Sequence, residues 1–276
     1  MKLSIIVVLY NKKLESSEAC SSLNSQTDRD FSVTVYDNST DNDIASTNGE
    51  TCVQYEWRYL GGKGNVGLSA AYNAVIRLLL EKECPDFIML LDDDTSFDSG
   101  MIASVKNCIA CNPKADVLLP IVKEQGSILS PWRETAARRT RFFKTEEECL
   151  NCEISGILAF NSGMTVSSAV FRNTCYDERL FLDGIDIAFL SEVKSLGKQL
   201  QIMPVVLEQR FSGREKHSLG EELTRFSIYS SDMLTMFGKN SLTRFFLVNK
   251  RALHLSLQHR SLRFFERKRN EREERK

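Results

Sequence analysis

Phe87 to Thr95 reads FIMLLDDDT: five large apolar residues in unbroken succession, then three aspartates and a threonine. A short continuous apolar run of this kind marks a strand buried on both faces of a parallel sheet. The aspartates then stand at the carboxyl end of that strand, where ligands of open α/β sheets bind. Leaving two carboxylates, Asp92 and Asp94, unpaired at the end of a buried strand is costly. A hard divalent cation, Mg2+ or Mn2+, offsets that cost and completes its shell with diphosphate oxygens and water. A helix cap or turn is the structural alternative, and it accounts for one aspartate more readily than for three.

Working outward, Leu3 to Leu9, Phe31 to Tyr36 and Val53 to Leu60 read as three further strands. The second ends in Asp37-Asn38-Ser39, and the Gly-rich segment GGKGNVGLSAAYNAVIRLLLEKE, residues 61–83, opens a helix before the aspartate-bearing strand. This βαβ series brings Tyr10-Asn11, Asp37-Asn38, Gly64 to Leu68 and Asp92 to Asp94 to one crevice. Downstream, Lys123 to Cys152 is polar and Arg-rich without a clean period, and is expected to be a long surface loop of the kind that forms lids. A helix around Asp183 to Leu196, a strand over Leu200 to Leu207 and helix beyond Gly220 follow, with the terminal NEREERK frayed. The expected organisation is an α/β catalytic domain over residues 1–215 and a helical, basic, amphipathic extension over 216–276.

Composition narrows the function classes. The 276 residues are 42% apolar, enough for a sizeable core, and the formal charge of -1 argues against a nucleic-acid-binding protein. The charge is unevenly spread: Ser241 to Lys276 holds eleven Lys or Arg against four Glu, a net of +7, leaving about -8 on the rest. The opening MKLSIIVVLYN is too short for a signal sequence, and no apolar run approaches bilayer length, so a cytoplasmic location is expected. Eight cysteines then read as reduced thiols. The pairs Cys108/Cys111 and Cys149/Cys152 have zinc-like spacing, but the first lies in a predicted helix without a Gly-rich knuckle.

The segments SIIVVLYNK, VYDNSTDN, GNVGLSAAYNAVI, LLDDDT and NSGMTVSSAVF, followed by LFLDGIDIAFLSEVKSLGKQLQIMP, resemble the family 2 glycosyltransferases of the GT-A fold. The resemblance is closest to bacterial rhamnosyltransferase-like members that build surface polysaccharides such as O-antigen and capsule, and it spans roughly the first 210 residues in the family's order. It implies a Rossmann-like nucleotide-diphospho-sugar transferase with a helical tail. It also implies a UDP- or dTDP-linked hexosyl or deoxyhexosyl donor bound by Tyr10, Asn11, Asp37, Asn38, Asn65, Gly67 and Asp93, with Asp92 and Asp94 on the metal. A carboxylate can accept from a pyrimidine N–H and an aromatic ring can cover the base. Asp186 in LDGID is the implied base of an inverting transfer, with Asp183 three residues earlier, potentially on the same helical face. Relatives often place a metal-binding His after the final strand; LEQRFSG carries Gln209 and Arg210 there, so Arg210 on the diphosphate and His217 on the metal are the candidates. The implied acceptor is a saccharide on a polyprenyl diphosphate.

The tail's Phe246, Leu253, Leu257 and Phe264, interleaved with Lys and Arg, suit an anionic membrane surface at the inner face of the plasma membrane, or a helix packed on the domain or on a second copy. Three rivals stand beside the transferase. A haloacid-dehalogenase-like phosphatase would use LDDDT, but after its first strand. A sugar nucleotidyltransferase would need a basic Gly-rich loop where Tyr10-Asn11-Lys12 stands. A non-catalytic nucleotide-sugar-binding domain would have no need of Asp92, Asp94 and Asp186 together.

Overall fold

The computed structural model describes residues 1–134, 140–210 and 218–265. Its strands are β1 (Leu3–Leu9), β2 (Ser32–Asp37), β3 (Arg58–Leu60), β4 (Phe87–Asp92), β5 (Thr95–Ser96), β6 (Val117–Glu124), β7 (Ser127–Ser130), β8 (Trp132–Glu134), β9 (Thr140–Phe142), β10 (Ile157–Leu158), β11 (Thr165–Ser167) and β12 (Leu200–Gln209). Its α-helices are α1 (Glu18–Asn24), α2 (Asn42–Gln54), α3 (Leu68–Lys82), α4 (Met101–Cys111), α5 (Glu146–Leu150), α6 (Ser168–Phe171), α7 (Ile185–Ser195), α8 (Leu219–Phe237) and α9 (Leu242–His259).

Nine strands form one mixed sheet in the order β3-β2-β1-β4-β11-β6-β12-β5, with β7 on β6. The strands β3, β2, β1 and β4 run parallel, and β11 enters antiparallel between β4 and β6. Alternate residues of β1 feed opposite faces. Ile5, Val7 and Leu9 pack with α1 and α4, and Ile6 packs with α3 and α7. The result is a mixed α/β sheet with helices on both faces and a helical C-terminal region, the arrangement that the resemblance implies.

Two elements differ from expectation. The third strand is only Arg58–Leu60, because α2 continues to Gln54: its N-cap Asp41 accepts from the N–H groups of Asp43 and Ile44, and buried Asn48, Thr51 and Cys52 line its inner face. Lys123 to Cys152 is not a long surface loop. β6 and β7 form a hairpin, and β8, β9 and β10 form a three-stranded sheet, with α5 between β9 and β10 in the chain and Trp132, Phe143 and Cys149 buried. Those few apolar residues are too widely spaced among arginines to show a period, yet they suffice to seat the small sheet.

The α8–α9 pair has its own core of Leu223, Phe226, Met233, Val248, Ala252, Leu255 and Phe264, and Met236 packs against both this core and the sheet's. Burial of Phe264 removes it from the apolar row expected on the surface. Leu242, Phe246, Leu253 and Leu257 remain exposed along one side of α9. No described helix is long and apolar enough to cross a membrane.

Candidate active site

β4 delivers Asp92 at its last residue, and a tight turn through Asp93 and Asp94 leads into β5. β5 is only two residues long, but it pairs Thr95 with Gln209 and Ser96 with Glu208 at the end of β12. That pairing brings Gln209 over the acidic turn. Its Nε2 donates to Asp92 Oδ2 at 3.2 Å and to Asp94 Oδ1 at 3.0 Å. From α3, the buried Tyr72 hydroxyl donates to Asp92 Oδ1 at 3.4 Å, and Ser162 Oγ accepts from the Asp92 backbone N–H at 3.3 Å. Burial, then the neighbouring charges of Asp94, Asp93 and Asp186, push the Asp92 carboxyl up to about 7, against a lowering by the Gln209 hydrogen bond. Asp94 rises to about 6, again chiefly by burial.

These residues fit a hard divalent cation. Two crowded carboxylates are disfavoured in their ionised form by burial, a cost that a cation would offset, and Gln209 Oε1 is buried without a hydrogen-bond partner, an acceptor that exchange of the two amide positions would turn toward a cation. Among the described residues no group of three His, Cys, Asp or Glu side chains is placed to hold a metal ion. The third polar group here is an amide.

The other predicted residues divide. Asp93 pairs with Lys12 Nζ at 3.2 Å, while its carbonyl accepts from Ser17 Oγ. Arg210 donates its backbone N–H to the Asp94 carbonyl, but its exposed guanidinium pairs with Glu18 at 3.0 Å. His217 lies outside the described residues. Asp186 occupies the first turn of α7, and burial raises its carboxyl to about 6. Its charge adds to the raising of Asp92, Tyr72 and Tyr176. Asp183 does not share a helical face with it. Gly184, left-handed at φ +77°, separates Asp183 from α7, and Asp183 is paired with Arg225 and Arg251 of the tail.

On the donor side, Tyr10 stands exposed at the end of β1. Asn11 Oδ1 accepts from the Thr40 N–H, and its own N–H donates to Ser39 Oγ, tying the first two strand ends together. Asn38 holds the Gly-rich turn by donating to the Gly67 carbonyl at 3.2 Å and accepting from the Val66 N–H at 3.0 Å. Asn65 accepts from the Gly67 N–H. Gly67 is left-handed at φ +88°, and a Cβ there would lie 2.8 Å from the Phe181 ring. Its missing side chain therefore makes room for Phe181. Asp37 is buried and accepts from the Ser39 N–H, Asn48 Nδ2 and the Tyr59 hydroxyl, leaving about one of its four lone-pair sites free.

The model of the family described as "Glycosyl transferase family 2" matches residues 4–170, a span that includes LLDDDT. Three solved structures illustrate what the chain is similar to. TarS 1-349 of S. aureus in complex with UDP has a TM-score of 0.52 at 17% identity, over 85% of this chain and 66% of that one. The mannosyltransferase PcManGT from Pyrobaculum calidifontis in complex with GDP-Man and Mn2+ gives 0.57 at 13%, over 87% and 65%. GalNAc-T7 with UDP, GalNAc and Mn2+ gives 0.61 at 13%, over 83% and 51%. At these identities the likeness is one of fold. The chain spans about half to two thirds of the length of these three proteins, and 40% of another TarS structure. No curated protein matches it.

Proposed function

The chain belongs to glycosyl transferase family 2, and from that premise we propose that it transfers a hexosyl or deoxyhexosyl unit, with inversion, from a UDP- or dTDP-sugar to a saccharide acceptor. The observation that carries this reading is the convergence of Asp92, Asp94 and Gln209 at the ends of β4 and β12. Asp92 and Asp94, with Gln209 beside them, would hold Mg2+ or Mn2+. The bound cation supplies charge neutralisation of the departing diphosphate.

The protein's own groups do the rest. Tyr10 covers the nucleotide base, Asn11 and Asp37 shape the wall behind it, and Asn38 and Asn65 fix the Gly67 turn that opens α3. Asp186, raised by burial to about 6 and therefore a stronger base that is still mainly ionised at pH 7, takes the proton from the acceptor hydroxyl as that oxygen attacks the anomeric carbon opposite the diphosphate. Three of the neighbouring structures were determined with UDP, UDP-GlcNAc or GDP-Man, which supports a nucleotide-sugar donor.

The exposed row on α9, with Lys250 and Arg260 beside it, suits an anionic bilayer and thus a polyprenyl-diphosphate-linked acceptor of surface-polysaccharide synthesis at the inner face of the plasma membrane. Co-flotation with phosphatidylglycerol vesicles should be strong for the full chain and weak for Leu253→Glu/Leu257→Glu; equal flotation removes the membrane from the reading.

The donor test is a thermal-shift panel of UDP-, dTDP- and GDP-sugars with and without Mn2+, repeated on Asp94→Ala. One nucleotide class should stabilise the protein only with metal, by about 2.7 kcal/mol at a hundredfold excess over Kd, and the effect should vanish in the variant. Absence of metal-dependent stabilisation by any of them overturns the metal-site reading.

A further inference from the structure

The loop that leads into Asp186 is gripped from two sides. Asp232, in the middle of α8 and 1% exposed, accepts the backbone N–H groups of Phe181 at 2.8 Å, Leu182 at 3.0 Å and Asp183 at 2.8 Å. Two turns earlier on the same helix, Arg225 forks onto both oxygens of Asp183. Arg251 of α9 approaches Asp183 at 3.9 Å while lying over the Tyr229 ring, 4.4 Å from its centroid. A Cβ at Gly184 would collide with the Met236 sulfur of α8. On the opposite side the Phe181 carbonyl accepts from the Leu68 N–H at 2.7 Å, and the Phe181 ring fills the space beside Gly67. Residues 181–184 are thus wedged between the first turn of α3 and the tail.

An ordinary docked helix pair needs only apolar contacts, and α8 and α9 already have a core of their own. Burying Asp232 adds a desolvation cost that stability alone gives little reason to meet, and the partly exposed Arg225–Asp183 pair adds little net stability of its own. What such charge-assisted contacts supply is directional constraint: one carboxylate aimed at three successive N–H groups leaves the backbone before α7 a single conformation. Asp186 follows that backbone by three residues.

We propose that Asp232 and the Arg225–Asp183 pair are positioning residues for Asp186, which makes the α8–α9 tail part of the acceptor side of the catalytic unit. This rests on the reading of Asp186 as the base. The tail then serves the reaction even in a detergent-free, membrane-free assay.

The test uses the full chain and the variants Asp232→Asn, Arg225→Gln and Arg225→Lys. Turnover is measured on whichever of UDP-glucose, UDP-galactose, UDP-N-acetylglucosamine and dTDP-rhamnose the unmodified protein consumes fastest. Hydrogen exchange over 181–186 and the thermal shift with UDP and Mn2+ are measured alongside. Asp232→Asn and Arg225→Gln should lower kcat about 10- to 100-fold, the scale of loss expected when a reacting group is misplaced. Exchange over 181–186 should rise, donor KM and the UDP–Mn2+ shift should hold, and Arg225→Lys should recover part of the rate. The proposal is overturned if kcat stays at the unmodified level, whether or not exchange rises, or if kcat and UDP binding fall together. Arg225 is partly exposed, so its variants decide the matter should Asp232→Asn not fold. Full turnover in Asp186→Asn, or no turnover of any donor by the unmodified protein, sinks the base reading instead and leaves the grip on the loop to be judged by exchange alone.

Discussion

Two acidic regions of this protein handle the same problem in opposite ways. At the end of β4, Asp92 and Asp94 are crowded and largely desolvated, and among the described residues their side-chain donors are one carboxamide and one tyrosine hydroxyl. At the junction of α7 with the tail, Asp183 and Asp232 meet two arginines and three backbone N–H groups. Among the described residues the first pair has no ion-pair partner, and burial drives its carboxyls up to about 7 and about 6. The second is balanced internally. Unbalanced buried charge marks a place where a cation from outside is needed, whereas balanced charge marks a place where geometry is being held.

Asp186 is coupled to both regions: its charge adds to the raising of Asp92, and its own carboxyl is raised chiefly by burial, with a further contribution from Asp183. The comparison assigns it to chemistry and Asp183 to support. Asp186→Asn should therefore have the largest effect, cutting transfer by roughly 10²- to 10⁴-fold with donor affinity retained, as loss of a general base does. Asp183→Asn should cost less, resemble Arg225→Gln and loosen the same loop. Steady-state kinetics on the two variants break the comparison if the order of the losses is reversed, because the group held by arginines would then be the one in contact with the reacting hydroxyl.

The sequence carried the strand ends well. The uninterrupted apolar runs of β1 and β4 and the Gly-rich turn before α3 place Tyr10, Asn38, Gly67 and Asp92 at one crevice without any long-range information. It carried the contacts between distant elements poorly. Gln209 reads as a departure from an expected histidine; its place over Asp92 depends on β5, two residues long and invisible to any periodic pattern. Asp232 looks like an ordinary polar residue of an amphipathic helix, because nothing in SIYSSDMLTMF shows that its carboxylate faces three N–H groups 49 to 51 residues away. Gly67 was legible as a turn residue, but the reason it must lack a side chain, Phe181, lies on another element. Asp183 and Asp186 suggested one helical face by spacing alone, and Gly184 broke that inference by delaying the helix.

The smallest effect sharpens the contrast through stability. A carboxyl raised in the fold binds protons that the unfolded chain has already released, so between its unfolded and folded pKa the native state holds more protons and stability falls as pH rises. Asp92, Asp94 and Asp186 all shift in this direction, to about 7, about 6 and about 6. Metal-free protein in EDTA should therefore unfold at a temperature several degrees higher near pH 5 than near pH 8, on the usual scale of about 2–4 °C per kcal/mol for a chain of this class. Saturating Mg2+ should flatten that slope, since a cation stabilises the ionised pair and competes with its protons. Gln209→Leu should steepen the slope in EDTA, because its amide is a donor that favours the ionised form of both aspartates. Arg225→Gln should leave the metal dependence of the slope intact, since its charge belongs to the balanced region. A slope in EDTA that Mg2+ does not change would mean that the unbalanced charge at the end of β4 is not where the cation binds.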